Sequence, residues 1–120
     1  MSSNLIEDLA AHPACEVLRK ADLDDFVARH PRALLFFSGD VTQRPEGLDV
    51  AVVVRELATG FQLRVGIVDR RDEPALMTMF GVVITPAVAC LRDGKATEVV
   101  ARMRDWSIYA QACERLLAPA

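Results

Sequence analysis

The side chains of this 120-residue chain best suited to nucleophilic, redox or metal chemistry are three cysteines, Cys15, Cys90 and Cys113, and two histidines, His12 and His30. Disulfide exchange needs an attacking thiolate beside a resolving partner, and a metal site needs three or four ligands at short spacing. The cysteines are far apart and odd in number, so neither a metal site nor a disulfide framework is expected. Free cysteine is among the most buried residue types, and all three read as small apolar side chains on secondary elements, kept reduced in a cytosolic setting. Among the carboxylates, Asp24-Asp25 and Asp69 with Asp72-Glu73 read as helix caps and solvated faces. Arg70-Arg71 and Arg102 with Arg104 read as solvated too.

Fourteen basic and seventeen acidic residues give a formal net charge of −3, which supplies no basic face for phosphate, so nucleic-acid binding is not expected. A hydrophobic content of 52% suffices for one core, and residues 1–120 read as a single domain without repeats or linkers. Met1 to Leu18 lacks the unbroken apolar core of an export signal, and no apolar run approaches the length that spans a bilayer. A cytoplasmic protein with no stable membrane association is expected.

The elements that must position any site follow from pattern. Cys15 to Lys20 reads as a first strand, and Asp22 as the cap of a helix carrying Leu23, Phe26 and Val27 up to His30-Pro31. Ala33 to Phe37 is a continuous apolar run, the profile of a central strand covered on both faces. A polar loop, Asp40 to Arg44, leads to a helix opened by Pro45 and closed by Gly60. Phe61, Leu63, Val65 and Ile67 alternate as a strand ending at Val68-Asp69, and Pro74 opens a short helix closed by Gly81. Ala87 to Leu91 and Thr97 to Ala101 flank Asp93-Gly94, an antiparallel hairpin signal. Asp105 is the expected cap of a final helix, Trp106 to Leu117, with Trp106, Tyr109, Met77, Met79 and Phe80 expected to pack inward. The resulting order, βαβαβαββα, predicts an α/β fold: a central mixed sheet with helices on both faces.

The stretch from Phe80-Gly81-Val82 through Thr85-Pro86 and Ala87 to Arg92-Asp93-Gly94-Lys95 resembles the thioredoxin sequence that carries its cis proline. The resemblance implies a thioredoxin-like fold and a cis Thr85-Pro86 bond presenting the Thr85 backbone to a bound chain. In thioredoxins the central strand delivers a Trp-Cys-Gly-Pro-Cys loop to the next helix. Here the loop reads Asp40-Val41-Thr42-Gln43-Arg44-Pro45, and Leu35 stands where thioredoxins usually bury an acidic residue. Without a thiol at this helix terminus, where the dipole would lower its pKa, disulfide exchange has no agent.

Ser38-Gly39-Asp40, Arg44-Pro45-Glu46, Asp49 and Glu56-Leu57, with Leu23-Asp24-Asp25 before and Phe80-Gly81-Val82 after, resemble the hydrogenase-expression family HupG/HyaE. That resemblance implies a cytoplasmic, non-catalytic chaperone for an uptake nickel-iron hydrogenase, holding the small-subunit precursor that bears a twin-arginine signal peptide. No cofactor is implied. The candidate peptide-binding residues are Asp40, Val41, Thr42, Gln43, Arg44, Pro45 and Glu46, then Thr85 and Pro86, then Met103 and Arg104. An extended segment is expected to pair with Thr85, with Val41 and Met103 in apolar contact and Asp40 or Glu46 meeting the guanidinium groups of the signal. Two other readings stand beside this one: a thiol-disulfide oxidoreductase using Cys90 or Cys113, and a generic thioredoxin-like adaptor unconnected with hydrogenase.

Overall fold

Leu34 and Phe36 alternate with Ala33, Leu35 and Phe37 along one strand, and all five are fully buried, so this strand must carry apolar layers on both of its faces. The computed structural model describes residues 4–119; residues 1–3 and 120 of the expected domain lie outside the described residues. Its elements are α1 (Asn4–Ala10), β1 (Cys15–Leu18), α2 (Leu23–Arg29), β2 (Arg32–Phe37), α3 (Glu46–Phe61), β3 (Arg64–Val68), α4 (Glu73–Phe80), β4 (Ala87–Arg92), β5 (Lys95–Ala101) and α5 (Trp106–Leu117).

The sheet order is β1-β3-β2-β4-β5, which puts the continuous apolar run at the centre as expected. β2 is parallel to β3 and antiparallel to β4, so the sheet is mixed. Leu34 and Phe36 join Val54 and Leu57 of α3, Tyr109 and Cys113 of α5 and Leu9 of α1 in one core. Leu35 and Phe37 join Phe26 of α2 and Leu76 of α4 in the other. Gly66 of β3 pairs with Leu35, and a Cβ there would lie 2.4 Å from Leu18 Cδ1 and 2.9 Å from Leu35 Cδ2. A glycine is therefore what lets two leucines meet across the sheet.

Several local expectations are corrected. Gly60 does not end α3: the helix runs on to Phe61, and Gln62, at φ 55°, takes the left-handed position. Phe61 thus belongs to the helix, and β3 begins only at Arg64, because Leu63 is spent on the helix exit. α1, which a polar start concealed, is held by buried Leu9. Asp22 and Asp105 sit at helix starts without side-chain caps, and Asp22 instead accepts the Arg19 N–H at 2.9 Å. Tyr109 and Phe80 are inside, but Trp106 is 48% and Met79 52% exposed, since each lies one side of its helix's buried stripe. Asp93 (φ 52°) and Gly94 (φ 81°) form the hairpin as their dipeptide demands.

Candidate functional site

Three loops leave the same end of the sheet: one after β2, one before β4 and one after β5. After β2, Gly39 turns at φ 69°, and a Cβ there would fall 2.5 Å from Thr85 Oγ1. Only glycine lets the first loop touch the second so closely. Asp40 then builds a turn. Its Oδ1 accepts the Thr42 hydroxyl at 2.6 Å and the Thr42 N–H at 3.0 Å. Those bonds, the hydroxyl's above all, hold its carboxyl below the usual carboxylate range. Gly47, in the first turn of α3, packs against the carbonyl of Ser38, where a Cβ would lie 2.4 Å away.

The third loop is tied to both of the others. Arg102, at φ 69°, donates its N–H to Pro86 O at 2.7 Å. Its guanidinium grips the Glu46 carboxylate, with Nε at 2.9 and 3.1 Å from the two oxygens, and the Met103 N–H reaches Glu46 Oε2 at 2.7 Å. These contacts, the Arg102 bonds most, push the Glu46 pKa down. The buried Tyr109 hydroxyl donates to Arg102 O at 2.6 Å and fixes the loop from beneath. Glu46, Pro86 and Met103 are thus brought together. Arg102, expected to be solvated, is an ion-paired clasp. Glu46 is correspondingly spent inside the protein and offers no free carboxylate to a guanidinium. Arg104 turns its Nε back to Ala101 O at 2.8 Å.

The peptide bond between Thr85 and Pro86 is cis. Sheet pairing of β4 starts at Ala87 opposite Phe37, and the N–H and C=O of Thr85 have no hydrogen-bond partner among the described residues. Thr85 borders a depression of about 340 Å³ whose polar lining is Asp40, Gln43, Arg44 and Arg70 and whose other wall is Met77, Val83, Ile84 and Thr85. Val83 is 90% exposed. Val41 lies apart from it, lining a separate depression with Ile6 and Glu7 of α1. Larger depressions lie elsewhere, so volume does not single this one out. The unpaired main chain does.

One residue of the site escaped the sequence reading. Glu73, placed there among solvated faces, is 1% exposed. Its Oε2 accepts the Gly39 N–H at 3.1 Å and its other oxygen accepts from Arg70. The carboxylate lies beneath the first loop and holds Gly39 against Thr85. The available signal was the spacing Arg70 to Glu73, one helical turn, directly before Pro74. Leu35 remains an apolar contact of Gly66, so the buried acid of this chain comes from α4 and not from the central strand.

The thiols are remote from this end in chemical character. Cys90 and Cys113 are each 1% exposed, and burial pushes their thiols up to about 12 and about 11. Cys15 is only half-buried, yet burial raises it to about 11. A thiol so shifted is protonated near neutral pH and is a poor nucleophile. Among the described residues no three of His, Cys, Asp and Glu are grouped to hold a metal ion, and no helix is long and apolar enough to cross a membrane.

The family model for Hydrogenase-1 expression protein HyaE matches residues 5–109. Hydrogenase expression/formation protein HupG of Rhizobium leguminosarum bv. viciae is 36% identical over 125 residues, covering 99% of this chain and 84% of its own length. Hydrogenase expression/formation protein HoxO of Cupriavidus necator is 36% identical over 118 residues, covering 95% of this chain and 73% of its own. A solved structure described as a hydrogenase expression/formation protein, hupG, of Rhodopseudomonas palustris superposes with a TM-score of 0.60 at 35% identity, over 84% of this chain and 93% of that one. A thioredoxin of Halobacterium salinarum superposes with a TM-score of 0.74 at 24% identity, over 92% and 97% of the two chains. The fold is thioredoxin-like.

Proposed function

Because the chain belongs to the Hydrogenase-1 expression protein HyaE family and so to hydrogenase maturation, we propose that it is a non-catalytic cytoplasmic chaperone for the small-subunit precursor of an uptake nickel-iron hydrogenase. The precursor, with its twin-arginine signal, is held by an extended segment that pairs with the Thr85 backbone. One observation carries this reading: an unpaired main-chain donor and acceptor at Thr85, beside a helix terminus that holds no sulfur. Backbone pairing supplies affinity without chemistry. Asp40, Gln43 and Arg44 form one bank and Thr85 with Ile84 and Val83 the other, while Met103 lies on the neighbouring loop that Glu46 clasps.

Co-purification with the precursor, with and without its signal segment, tests this role. Capture is expected only of the chain that carries the recognised segment, and failure to capture either form removes the role while leaving the fold. Insulin reduction in the presence of a dithiol tests the redox alternative, and no turnover is expected. Cys90 and Cys113 should be alkylated only at the rate of global opening, because both are buried and protonated.

A further inference from the structure

We infer that the segment seated at Thr85 is an extended apolar stretch carrying a carboxylate toward Arg44, and that the paired arginines of the precursor bind elsewhere. The inference rests on the docking reading above and names the chemistry of what docks.

Of the anionic groups near the groove, Glu46 and Glu73 are already ion-paired, and Asp40 keeps only Oδ2 without a hydrogen bond among the described residues. Glu46 gives both oxygens to Arg102 and one of them to the Met103 N–H. Asp40 gives Oδ1 to Thr42 twice and lies in the field of Arg70. Glu73 is buried under Gly39 and faces Arg70. An incoming guanidinium would have to break the arrangement of Glu46 or of Glu73 or share Asp40 with Arg70, and it would meet two cations of the groove lining, Arg44 and Arg70. Like charge on the groove lining opposes binding.

The cations are differently disposed. Arg70 is held by Glu73, but Arg44 is exposed and forms no ion pair or side-chain hydrogen bond among the described residues. It is the free charge on the groove, and a guanidinium is built to take a carboxylate through two parallel bonds. The rest of the wall is apolar and open: Val83 is 90% and Ile84 38% exposed, with Met77 beside them. Side chains of an extended strand alternate in direction. A segment paired with Thr85 therefore sets every second side chain against one wall, which suits apolar residues there and one acidic residue on the side of Arg44.

Charge-swapped peptides decide this. The probes are three short, end-capped peptides of alternating valine and serine with one central glutamate, glutamine or arginine, titrated into the full chain while the amide resonances of Thr85 and Arg44 are followed. The glutamate peptide should bind about tenfold more tightly than the arginine peptide, the size of one favourable charge-assisted contact. Arg44→Glu should reverse that order, whereas Arg44→Gln should abolish the preference. Equal binding of the glutamate and arginine peptides, tighter binding of the arginine peptide, or no shift at Thr85 with any of them would each overturn the inference.

The precursor separates this outcome from the role itself. If the precursor is captured, replacement of its two arginines by glutamine should leave capture at the groove intact, while Arg44→Glu should weaken it. The opposite result sinks the inference and leaves the chaperone role standing. Absence of capture sinks the role, and the peptide titration still judges the groove.

Discussion

The two ends of the sheet are finished in opposite ways. At the end where β2 and β3 begin, arginines close the backbone: Arg92 Nη2 reaches the carbonyls of Arg115, Leu116 and Ala118 at 3.1, 2.7 and 2.9 Å. Arg32 donates to Leu117 O at 3.2 Å and Arg64 to Pro13 O at 3.1 Å. His12 accepts the Ala14 N–H at 3.0 Å and meets Thr59 Oγ1 at 3.1 Å. At the other end the side chains hold the loops against one another, yet Thr85 is left without a main-chain partner. A fold with enough arginine to satisfy helix-end carbonyls at one end leaves a strand-like backbone unpaired at the other. That difference is what the proposed docking at Thr85 rests on.

The contrast breaks most readily at the closed end. Arg92→Ala should cost about 3 kcal/mol, since three carbonyls at the end of α5 lose a charged donor together, and urea denaturation should register this while binding at Thr85 is unchanged. Glu73→Leu should cost about 2 kcal/mol by orphaning the Gly39 N–H and Arg70. In contrast to Arg92→Ala it should also weaken peptide binding, and Glu73→Gln, which keeps an acceptor, should restore part of both.

A smaller effect sharpens the comparison by pH. Glu46 has its pKa lowered in the folded protein by Arg102 and the Met103 N–H, so its contribution is complete above the ordinary value of 4.5 and is lost as the pH falls through the lower folded value. Glu46→Gln should abolish that acid-side loss, read as the pH dependence of the Met103 amide shift. Smallest of all, Val83→Ser should change stability by less than about 0.5 kcal/mol, because the side chain stands in solvent. It should nonetheless weaken peptide binding. A stability loss as large as that of Glu73→Leu would show that Val83 packs inward and would remove the apolar wall.

Much of the frame was legible in the chain. The run Ala33 to Phe37 could only be a strand covered on both faces, and Asp93-Gly94 could only be a tight hairpin. Where reading failed, a nonlocal contact had overridden a local signal. Gly60 looks like a helix stop, yet the helix persists because Leu57 and Ala58 are held in the core and Gln62 can adopt the left-handed turn. Trp106 looks like a core residue, yet the buried stripe of α5 runs through Tyr109, Ala112, Cys113 and Leu116. The three loops after β2, before β4 and after β5 lie at one end of the sheet, as their positions in the sequence implied, but the pairing of Glu46 with Arg102 was not legible there.

Pattern alone determined the order of the strands along the chain, the buried character of Cys90 and Cys113, and the absence of sulfur from the loop after β2, because these depend on neighbours a few residues away. The tertiary structure decided which charges are free. Arg102 and Glu46, or Glu73 and Gly39, are remote in sequence and meet only once the sheet aligns their loops. A carboxylate that has found its cation inside the protein has none to offer outside. That accounting cannot be made until every partner has a position.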